Sequence, residues 1–303
     1  MPTKEEDEAA KKIQNQMRKN LTMRSNKRQY VAFELKETEQ FYVDCLRNLL
    51  KNYIEPMRNP QQNEVFFSPD KIKTLFAGLD PVLAHHEEIL SQLSNKLESW
   101  TPTTRIGDIF ENIAETVGKA YAQFTKHFSK ATLIIQYHEQ RNSRFREYLE
   151  AKRVESGSRY TFQDLLIMPI QRFPHYILIL ERLSKLTPDN HPDSSPLKTS
   201  IESVKKIAEL INTKQIEAES YQRLKVLEGQ MSGTCPPLAI GNRKYIREMV
   251  VTMLVDGLRE LRHLVLLSDS LLCLSRTTTF FQRNTQYNFN WMYPLQDVIL
   301  IIS

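Results

Sequence analysis

The sequence has few cysteines, few glycines and no long apolar run, and each shortage excludes a class of protein. Its three cysteines lie far apart and form no CxxC pair, so we expect neither a disulfide framework nor a zinc site, and a reducing cytoplasmic setting fits best. No run of about 18 apolar residues occurs, so no membrane span is predicted. The charged N-terminus, MPTKEEDEAAKKIQNQ, is unlike a secretory signal. Eight glycines in 303 residues favour long helices over many-turned sheets.

The composition is that of a globular protein with one large or two moderate domains. Apolar residues make up 41% of the chain and charged residues 25%, and 303 residues exceed the usual size of a single domain. The net charge of +5 is too mild to indicate an acidic partner by itself, and nucleic acid binding is not expected.

The first two thirds of the sequence has helical periodicity. From Tyr30 onward, mostly apolar residues recur at alternating steps of four and three, on one stripe of a helix that ends near Pro56. The stripe consists of Val31, Leu35, Thr38, Tyr42, Cys45 and Leu49. Ser68-Pro69-Asp70 predicts an N-cap and first turn. We expect an elongated, all-helical bundle at residues 28–226, after a polar, basic helical lead-in at residues 1–27.

The periodicity changes beyond Gly229. The segments MVVTMLV, HLVLLSD and LLCLSRT are rich in β-forming residues and are separated by Asp256-Gly257 and by Ser268-Asp269-Ser270. A final strand pair is predicted at YNFNWMYPL and VILIIS. These patterns indicate the β-rich start of a second domain at residues 227–303.

The segment LLIMPIQRFPHYILILERL, residues 165–183, places two prolines in an apolar helix. Pro169 suits a first helical position, whereas Pro174 loses the hydrogen bond to residue 170. We therefore expect a short turn, a bend and a second helix start at Pro174. Gln171, Arg172 and His175 would point outward, and the inward side would consist of Ile170, Phe173, Tyr176 and Leu180. The alternative is a buried helix whose polar residues only satisfy local backbone groups.

Three segments carry a family resemblance. VAFELKETEQFYVDCLRNLLKNYIEPM has a Glu-Leu-x-x-Thr-Glu core, RIGDIFENIAETVGKAYAQFTKHFSKA begins with Ile-Gly-Asp-Ile-Phe, and LLIMPIQRFPHYILILERLSKLTP contains Pro-Ile-Gln-Arg followed by a tyrosine. In this order they resemble the three conserved regions of the Dbl-homology domain, the catalytic unit of Rho-family guanine-nucleotide exchange factors. The resemblance covers about residues 28–225 and is more specific than Pro-Ile-Gln-Arg alone.

The resemblance implies that the domain binds both switch segments of a GDP-bound Rho-family small GTPase, expels Mg²⁺ and stabilises the nucleotide-free state. Thermodynamic linkage then requires the exchange factor and the nucleotide to weaken each other's binding equally. Such exchange changes no covalent bond, so we expect no catalytic acid–base residue, no cofactor and no metal site.

Two residues match positions that the family uses against the switches. Glu34 matches the glutamate of the first region, which the resemblance assigns to switch I, where a carboxylate accepts hydrogen bonds from backbone N–H and a tyrosine hydroxyl. Asn212 matches an asparagine late in the domain that hydrogen-bonds switch II. Without the resemblance, Glu34 is an ordinary solvated glutamate and Asn212 a mildly unfavourable surface residue.

The third region supplies the remaining candidate residues and two departures. His175 stands where Lys or Arg is common, so either it makes a neutral hydrogen bond or the activity is modest and rises as pH falls. Met168 stands where Lys is common. Ile167 resembles a position that helps to select the GTPase. Gln171 and Arg172 complete the surface. Arg172 either braces the bend by bonding helix-terminal carbonyls or touches the GTPase.

The β-rich part resembles a partial pleckstrin-homology domain. RHLVLLSDSLLCLSR is similar to the central hairpin of such domains and WMYPLQDV to the strand that follows. The chain stops before the closing strands and C-terminal helix of that fold. Arg243, Lys244 and Arg247 open this domain and are candidates for anionic phospholipid binding, which would place a cytoplasmic protein peripherally at membranes or the cytoskeleton.

Two other motifs have ordinary explanations beside functional ones. Residues 9–24 resemble a degenerate IQ motif for a calmodulin-like protein, but seven Lys or Arg without an acid at residues 11–28 also fit a basic helix near anionic lipid. His85-His86-Glu87-Glu88 lacks the HExxH spacing of a metal site, so a solvated helix face is expected.

A non-catalytic helical scaffold with the same fold is the alternative to exchange. The departures at Met168 and His175 leave it open, whereas the presence of Glu34 and Asn212 favours exchange.

Overall fold

Helices dominate the computed structural model, which describes residues 4–60, 65–232, 234–277 and 286–298, with side chains from residue 22 onward. The chain divides into two compact units, residues 1–214 and residues 215–303. The predicted order of an all-α bundle followed by a β-rich unit is confirmed.

The helical elements follow one another with short connections. They are α1 (Lys4–Asn48), a π-helical segment (Leu49–Ile54), α2 (Glu55–Arg58), α3 (Pro69–Leu75), α4 (Leu79–Glu98), a 3₁₀ turn (Gly107–Ile109), α5 (Ile113–Arg141), α6 (Ser143–Glu155), α7 (Phe162–Leu186) and α8 (Ser194–Gln230). Ser68 caps α3 as predicted, since its side chain accepts a hydrogen bond from the backbone N–H of Lys71.

The apolar stripe predicted for α1 faces the core. Of its six members Thr38 is half-buried, and the other five are buried, including Leu49, which opens the π-helical segment. The five buried residues join one continuous cluster with apolar residues of α4, α5 and α7. Burial of this stripe stabilises a helix that local propensity alone would leave marginal.

Helix α7 corrects the predicted bend. It runs unbroken from Phe162 to Leu186 with both prolines inside. It begins about two turns earlier than a Pro169 start requires, because Thr161 and Asp164 form a capping box. The fixed φ of proline is compatible with a helix, and each proline removes only one intrahelical hydrogen bond. The predicted inward side is confirmed, since Phe173, Tyr176 and Leu180 are buried and the half-buried Ile170 packs against the helical core.

A buried ion pair joins distant parts of the helical unit. The Nη2 atom of Arg28 lies 2.5 Å from Oδ2 of Asp193, and both side chains are almost completely buried. Nε of Arg28 also donates to Thr187, and Asp193 accepts from the backbone N–H groups of Ile106 and Gly107. The pair therefore fixes α1 against the segments that precede α5 and α8.

Gly107, of the Ile-Gly-Asp-Ile-Phe motif, lies where two backbones meet. A Cβ atom at this position would lie 2.5 Å from the backbone of Pro196 and of Leu197. We expect Gly107→Ala to lower the free energy of unfolding by about 1–3 kcal/mol or more through overpacking, measured by urea denaturation. Gly118→Ala is the matched control, because a Cβ there meets nothing within 4 Å and alanine is the better helix former. Equal stability of the two variants would contradict this explanation.

The described residues of the second unit form a five-stranded sheet that packs on the C-terminal part of α8. Its strands are β1 (Met231–Ser232), β2 (Tyr245–Val255), β3 (Leu258–Leu267), β4 (Ser270–Thr277) and β5 (Gln286–Pro294), in the order β1-β5-β4-β3-β2. Strands β2 to β5 pair antiparallel, and β1 pairs parallel with β5. Leu224 and Leu227 of α8 pack with Val265 and Leu272 of the sheet.

The predicted Asp256-Gly257 turn is present between β2 and β3. Both residues have positive φ, 50° and 81°, as a two-residue hairpin turn requires. Of the predicted strand VILIIS, residues 299–303 lie outside the described residues. Among the described residues, no helix is long and apolar enough to cross a bilayer.

Candidate functional site

Helices α1 and α7 lie antiparallel, with Glu34 beside Arg182 at one level and Glu39 beside Tyr176 at another. This pairing brings Glu34 of the first region to the same face of the helical unit as His175 of the third.

Glu34 stands at the edge of this face in an exposed ion pair. Nη1 and Nη2 of Arg182 donate to the two carboxylate oxygens of Glu34 over 2.7 and 3.0 Å. The side chain of Glu34 is 31% exposed and that of Arg182 is 52% exposed. Solvent therefore screens the pair, and its contribution to stability is small. Glu34 is therefore ordered and accessible.

Exposed apolar side chains flank Glu34 and His175. Tyr30, one turn before Glu34, is 74% exposed, and Leu178, one turn after His175, is 61% exposed. Ile167 is 38% exposed. We call the set Tyr30, Glu34, Ile167, Gln171, His175, Leu178 and Arg182 the α1–α7 face. Sequence reasoning missed Tyr30, Leu178 and Arg182. The signal was helical spacing, since Leu178 and Arg182 follow His175 by three and seven residues on α7, and Tyr30 precedes Glu34 by four residues on α1.

His175 is exposed on this face and lies beside a buried cation. Its Nδ1 atom is 3.4 Å from Nη1 of Arg172. Partial desolvation and then the charge of Arg172 lower the pKa of His175 below its ordinary value of 6.5, and Glu34 acts in the opposite direction. The ring is therefore neutral at neutral pH.

Arg172 corrects the sequence prediction, because it neither points outward nor bonds helix-terminal carbonyls. Only 4% of the residue is exposed. Its Nη2 atom forms an ion pair with Glu39, and its guanidinium lies over the ring of Tyr176 at 4.2 Å. Buried pairing and cation–π contact fix this side chain inside the bundle.

Glu39 is the centre of a buried polar network that joins four helices. Its Oε1 atom lies 2.8 Å from Nδ1 of His86, and its Oε2 atom accepts a 2.5 Å hydrogen bond from Tyr176. Nε2 of His86 lies 2.8 Å from the hydroxyl of Tyr121, which in turn contacts Tyr42. Burial alone would raise the pKa of Glu39, but Arg172 and His86 lower it below its ordinary value.

His86 contradicts the prediction of a solvated face for His85-His86-Glu87-Glu88, since it is fully buried. The described residues hold no cluster of His, Cys, Asp and Glu suited to a metal ion. A signal for the network was present in the sequence, since Glu39 lies on the helix stripe of Leu35, Tyr42 and Leu46. An acid on a buried stripe requires a partner.

Asn212 and Met168 occupy different environments. Asn212 is exposed on α8, two turns after Lys205, whose Nζ lies 3.2 Å from Oε1 of Glu181 on α7. Asn212 therefore lies on the side of α8 that faces α7. Met168 is half-buried and packs against the helical core, so it is directed away from the α1–α7 face.

The basic residues of the β-rich unit are only partly available. Arg243 is bound to both carboxylate oxygens of Asp269 over 2.8–3.0 Å, so the headgroup role predicted for it is not supported. Lys244 and Arg247 are exposed, and phospholipid binding by them stays a prediction. The side chains of the calmodulin-like motif up to residue 21 lie outside the described residues.

The sequence comparisons connect this geometry to known proteins. The family model of the RhoGEF domain matches residues 31–212. The chain is 28% identical over 296 residues to human Rho guanine nucleotide exchange factor 17, covering 90% of this chain and 14% of that protein. It is 28% identical over 225 residues to mouse Protein ECT2, covering 74% of this chain and 24% of that protein. The chain thus spans only a small part of these relatives.

Solved structures share the fold. The DH/PH domains of PDZ-RhoGEF, solved with GTPγS-activated RhoA, match with a TM-score of 0.75 at 21% identity, covering 91% of this chain and 81% of that chain. The DH/PH domains of p115-RhoGEF match with a TM-score of 0.73 at 20% identity, covering 88% and 83%. Since the family model covers more than half of the sequence, the chain belongs to the RhoGEF domain family.

Proposed function

We propose that this protein accelerates GDP release from a Rho-family small GTPase by binding its switch segments and stabilising the nucleotide-free state. The observation that carries the proposal is the α1–α7 face, where an accessible carboxylate, a neutral imidazole and exposed apolar side chains stand together on two rigid helices. The names of the relatives, which include a Rho guanine nucleotide exchange factor, support it.

The geometry suits a binding catalyst. Glu34 offers acceptors, His175 offers a polar ring atom, and Tyr30 and Leu178 offer exposed apolar surface. Mobile switch loops present backbone N–H groups and apolar side chains, which such a mixed surface complements. Because the buried network holds α1 and α7 in place, less ordering entropy is lost on binding. The face carries no nucleophile with an adjacent base, so the proposed catalysis is by binding energy alone.

The direct test is release of a fluorescent GDP analogue from a panel of Rho-family GTPases. We expect acceleration with at least one member, in proportion to the concentration of the folded chain. Binding to a GTPase without acceleration of release would instead identify the non-catalytic scaffold. No effect and no binding across the panel would contradict the proposal.

Asn212→Ala is expected to slow exchange about tenfold, the equivalent of one hydrogen bond of about 1.4 kcal/mol. Asn212 is exposed, so the free energy of unfolding should change by less than about 0.5 kcal/mol. Thr213→Ala is the matched control, because Thr213 is an exposed neighbour. Equal exchange rates of the two variants would remove Asn212 from the proposed contact surface.

A further inference from the structure

We infer that Arg172 holds His175 as the neutral tautomer with its proton on Nε2, so that His175 presents one outward N–H donor to the GTPase. Arg172 is thus a positioning residue that acts through His175 without touching the partner. The inference rests on the proposed exchange function for its consequence, whereas the tautomer itself is a property of the free protein.

A nitrogen of the Arg172 guanidinium faces a nitrogen of the His175 ring. Nη1 of Arg172 lies 3.4 Å from Nδ1 of His175. A guanidinium has only donors, so this contact is a hydrogen bond only if Nδ1 of the imidazole carries no proton. In a neutral ring the single proton then lies on Nε2. The opposite tautomer would set an N–H group against an N–H group.

The guanidinium of Arg172 is held in place by its other contacts. Arg172 pairs with the buried Glu39, and its guanidinium lies 4.2 Å from the ring centre of Tyr176 and 5.2 Å from that of Tyr42. With 4% of the residue exposed, water does not compete for its N–H groups. The donor that faces His175 is therefore permanent and fixed in direction.

Neighbouring charges favour the neutral form of His175. The charged groups that act on His175 are Arg172 on its own helix and Glu34 on α1, and Glu34 is itself paired with Arg182. Partial desolvation and Arg172 together lower the pKa of His175, despite the opposing effect of Glu34. Of the two alternatives open from the sequence, the neutral hydrogen bond is therefore favoured over an activity that rises as pH falls.

The lowered pKa of His175 determines how the exchange rate should depend on pH. Above the lowered pKa the ring is neutral, and exchange should be flat through neutral and alkaline pH. As pH falls through this lowered pKa, protonation of Nδ1 removes the acceptor for Arg172, and exchange should decrease. A rate that increased on acidification would overturn the inference.

The matched substitutions are His175→Gln and His175→Asn. A glutamine amide N–H lies near the position of Nε2–H, whereas an asparagine amide reaches only about as far as Nδ1. We expect His175→Gln to retain exchange within about threefold and His175→Asn to lose about tenfold, one hydrogen bond. Equal rates, or a faster His175→Asn variant, would overturn the inference. Thermal unfolding checks that both variants fold.

Long-range ¹H–¹⁵N NMR of the free chain gives a second readout that does not depend on a GTPase. The signals of His175 are identified by their absence from the His175→Gln spectrum. We expect a protonated Nε2 and an unprotonated Nδ1 at neutral pH, and the reverse pattern would overturn the inference. If the chain accelerates release from no GTPase but shows the expected tautomer, the proposed function fails while the tautomer assignment stands.

Discussion

Glu34→Ala is expected to slow exchange by at least about 30-fold. In the proposed complex the carboxylate accepts hydrogen bonds from switch I, and charge-assisted hydrogen bonds contribute about 1.5–3 kcal/mol. A loss of about 2 kcal/mol corresponds to a factor of about 30. The decrease in exchange rate is measured by the release of fluorescent GDP under single-turnover conditions. The loss should appear in the second-order rate constant for any GTPase that the chain accepts.

The stability of the Glu34→Ala variant distinguishes a contact with the GTPase from a structural role of Glu34. The only ion pair of Glu34 in the described part of the chain is the exposed one with Arg182, so Glu34→Ala should change the free energy of unfolding by less than about 1 kcal/mol. Glu37→Ala is the control, since Glu37 is an exposed glutamate one turn further along α1. An unfolded Glu34→Ala protein, or a Glu37→Ala variant equally slow in exchange, would show that the contact surface was assigned wrongly.

Glu39→Ala is expected to have the largest effect on stability, a loss of about 3–5 kcal/mol in the free energy of unfolding. Glu39 is fully buried and accepts from Arg172 and Tyr176. Removing the carboxylate leaves a guanidinium buried without its counter-charge, and desolvation then opposes folding. Urea denaturation followed by circular dichroism measures the loss. Arg182→Ala on α7 is the control, because its ion pair is exposed and should contribute less than about 1 kcal/mol.

The buried pair of Glu39 and Arg172 also affects how the stability of the protein responds to acid. The pKa of Glu39 is lowered in the folded chain from its ordinary value of 4.5. A group with a depressed folded pKa stabilises the protein fully above its unfolded pKa and loses that contribution as pH falls through the folded one. Acidification below pH 4.5 should therefore destabilise the wild-type chain. A Glu39→Gln variant lacks this group and should be less sensitive over the same range.

Opposite readouts distinguish the two carboxylates on α1. Substitution of Glu34 should change exchange with little effect on stability, whereas substitution of Glu39 should change stability first. The structural reason is their position on one helix, since five residues turn the helix by about 140°. Glu34 therefore lies at the exposed edge of α1, while Glu39 points between α1, α4 and α7.

Several features of the fold could be predicted from the sequence because they depend on local pattern. The stripe of α1 recurs at helical spacing, Ser68 has the chemistry of an N-cap, and Asp256-Gly257 has the chemistry of a hairpin turn. Each depends on residues near one another in the chain, so periodicity and capping rules are sufficient.

The predicted bend at Pro174 was wrong for the opposite reason. Local rules assign a cost to each proline, but the burial of Phe173, Tyr176 and Leu180 against the other helices stabilises an unbroken α7. Tertiary packing overrode the local preference, which is the usual limit of propensity arguments.

Local pattern alone predicted that long amphipathic helices precede a β-rich unit, and the resemblance of three motifs to the Dbl-homology regions supplied Glu34, His175 and Asn212 as candidates. Which polar groups are available depends on tertiary contacts. The tertiary structure buried Arg172, set Glu34 against Arg182 and engaged Arg243 with Asp269. Whether a charged side chain serves the core or the surface depends on which opposite charge the fold brings within hydrogen-bond reach. Those partners lie 26 to 148 residues apart in the chain, where periodicity gives no information.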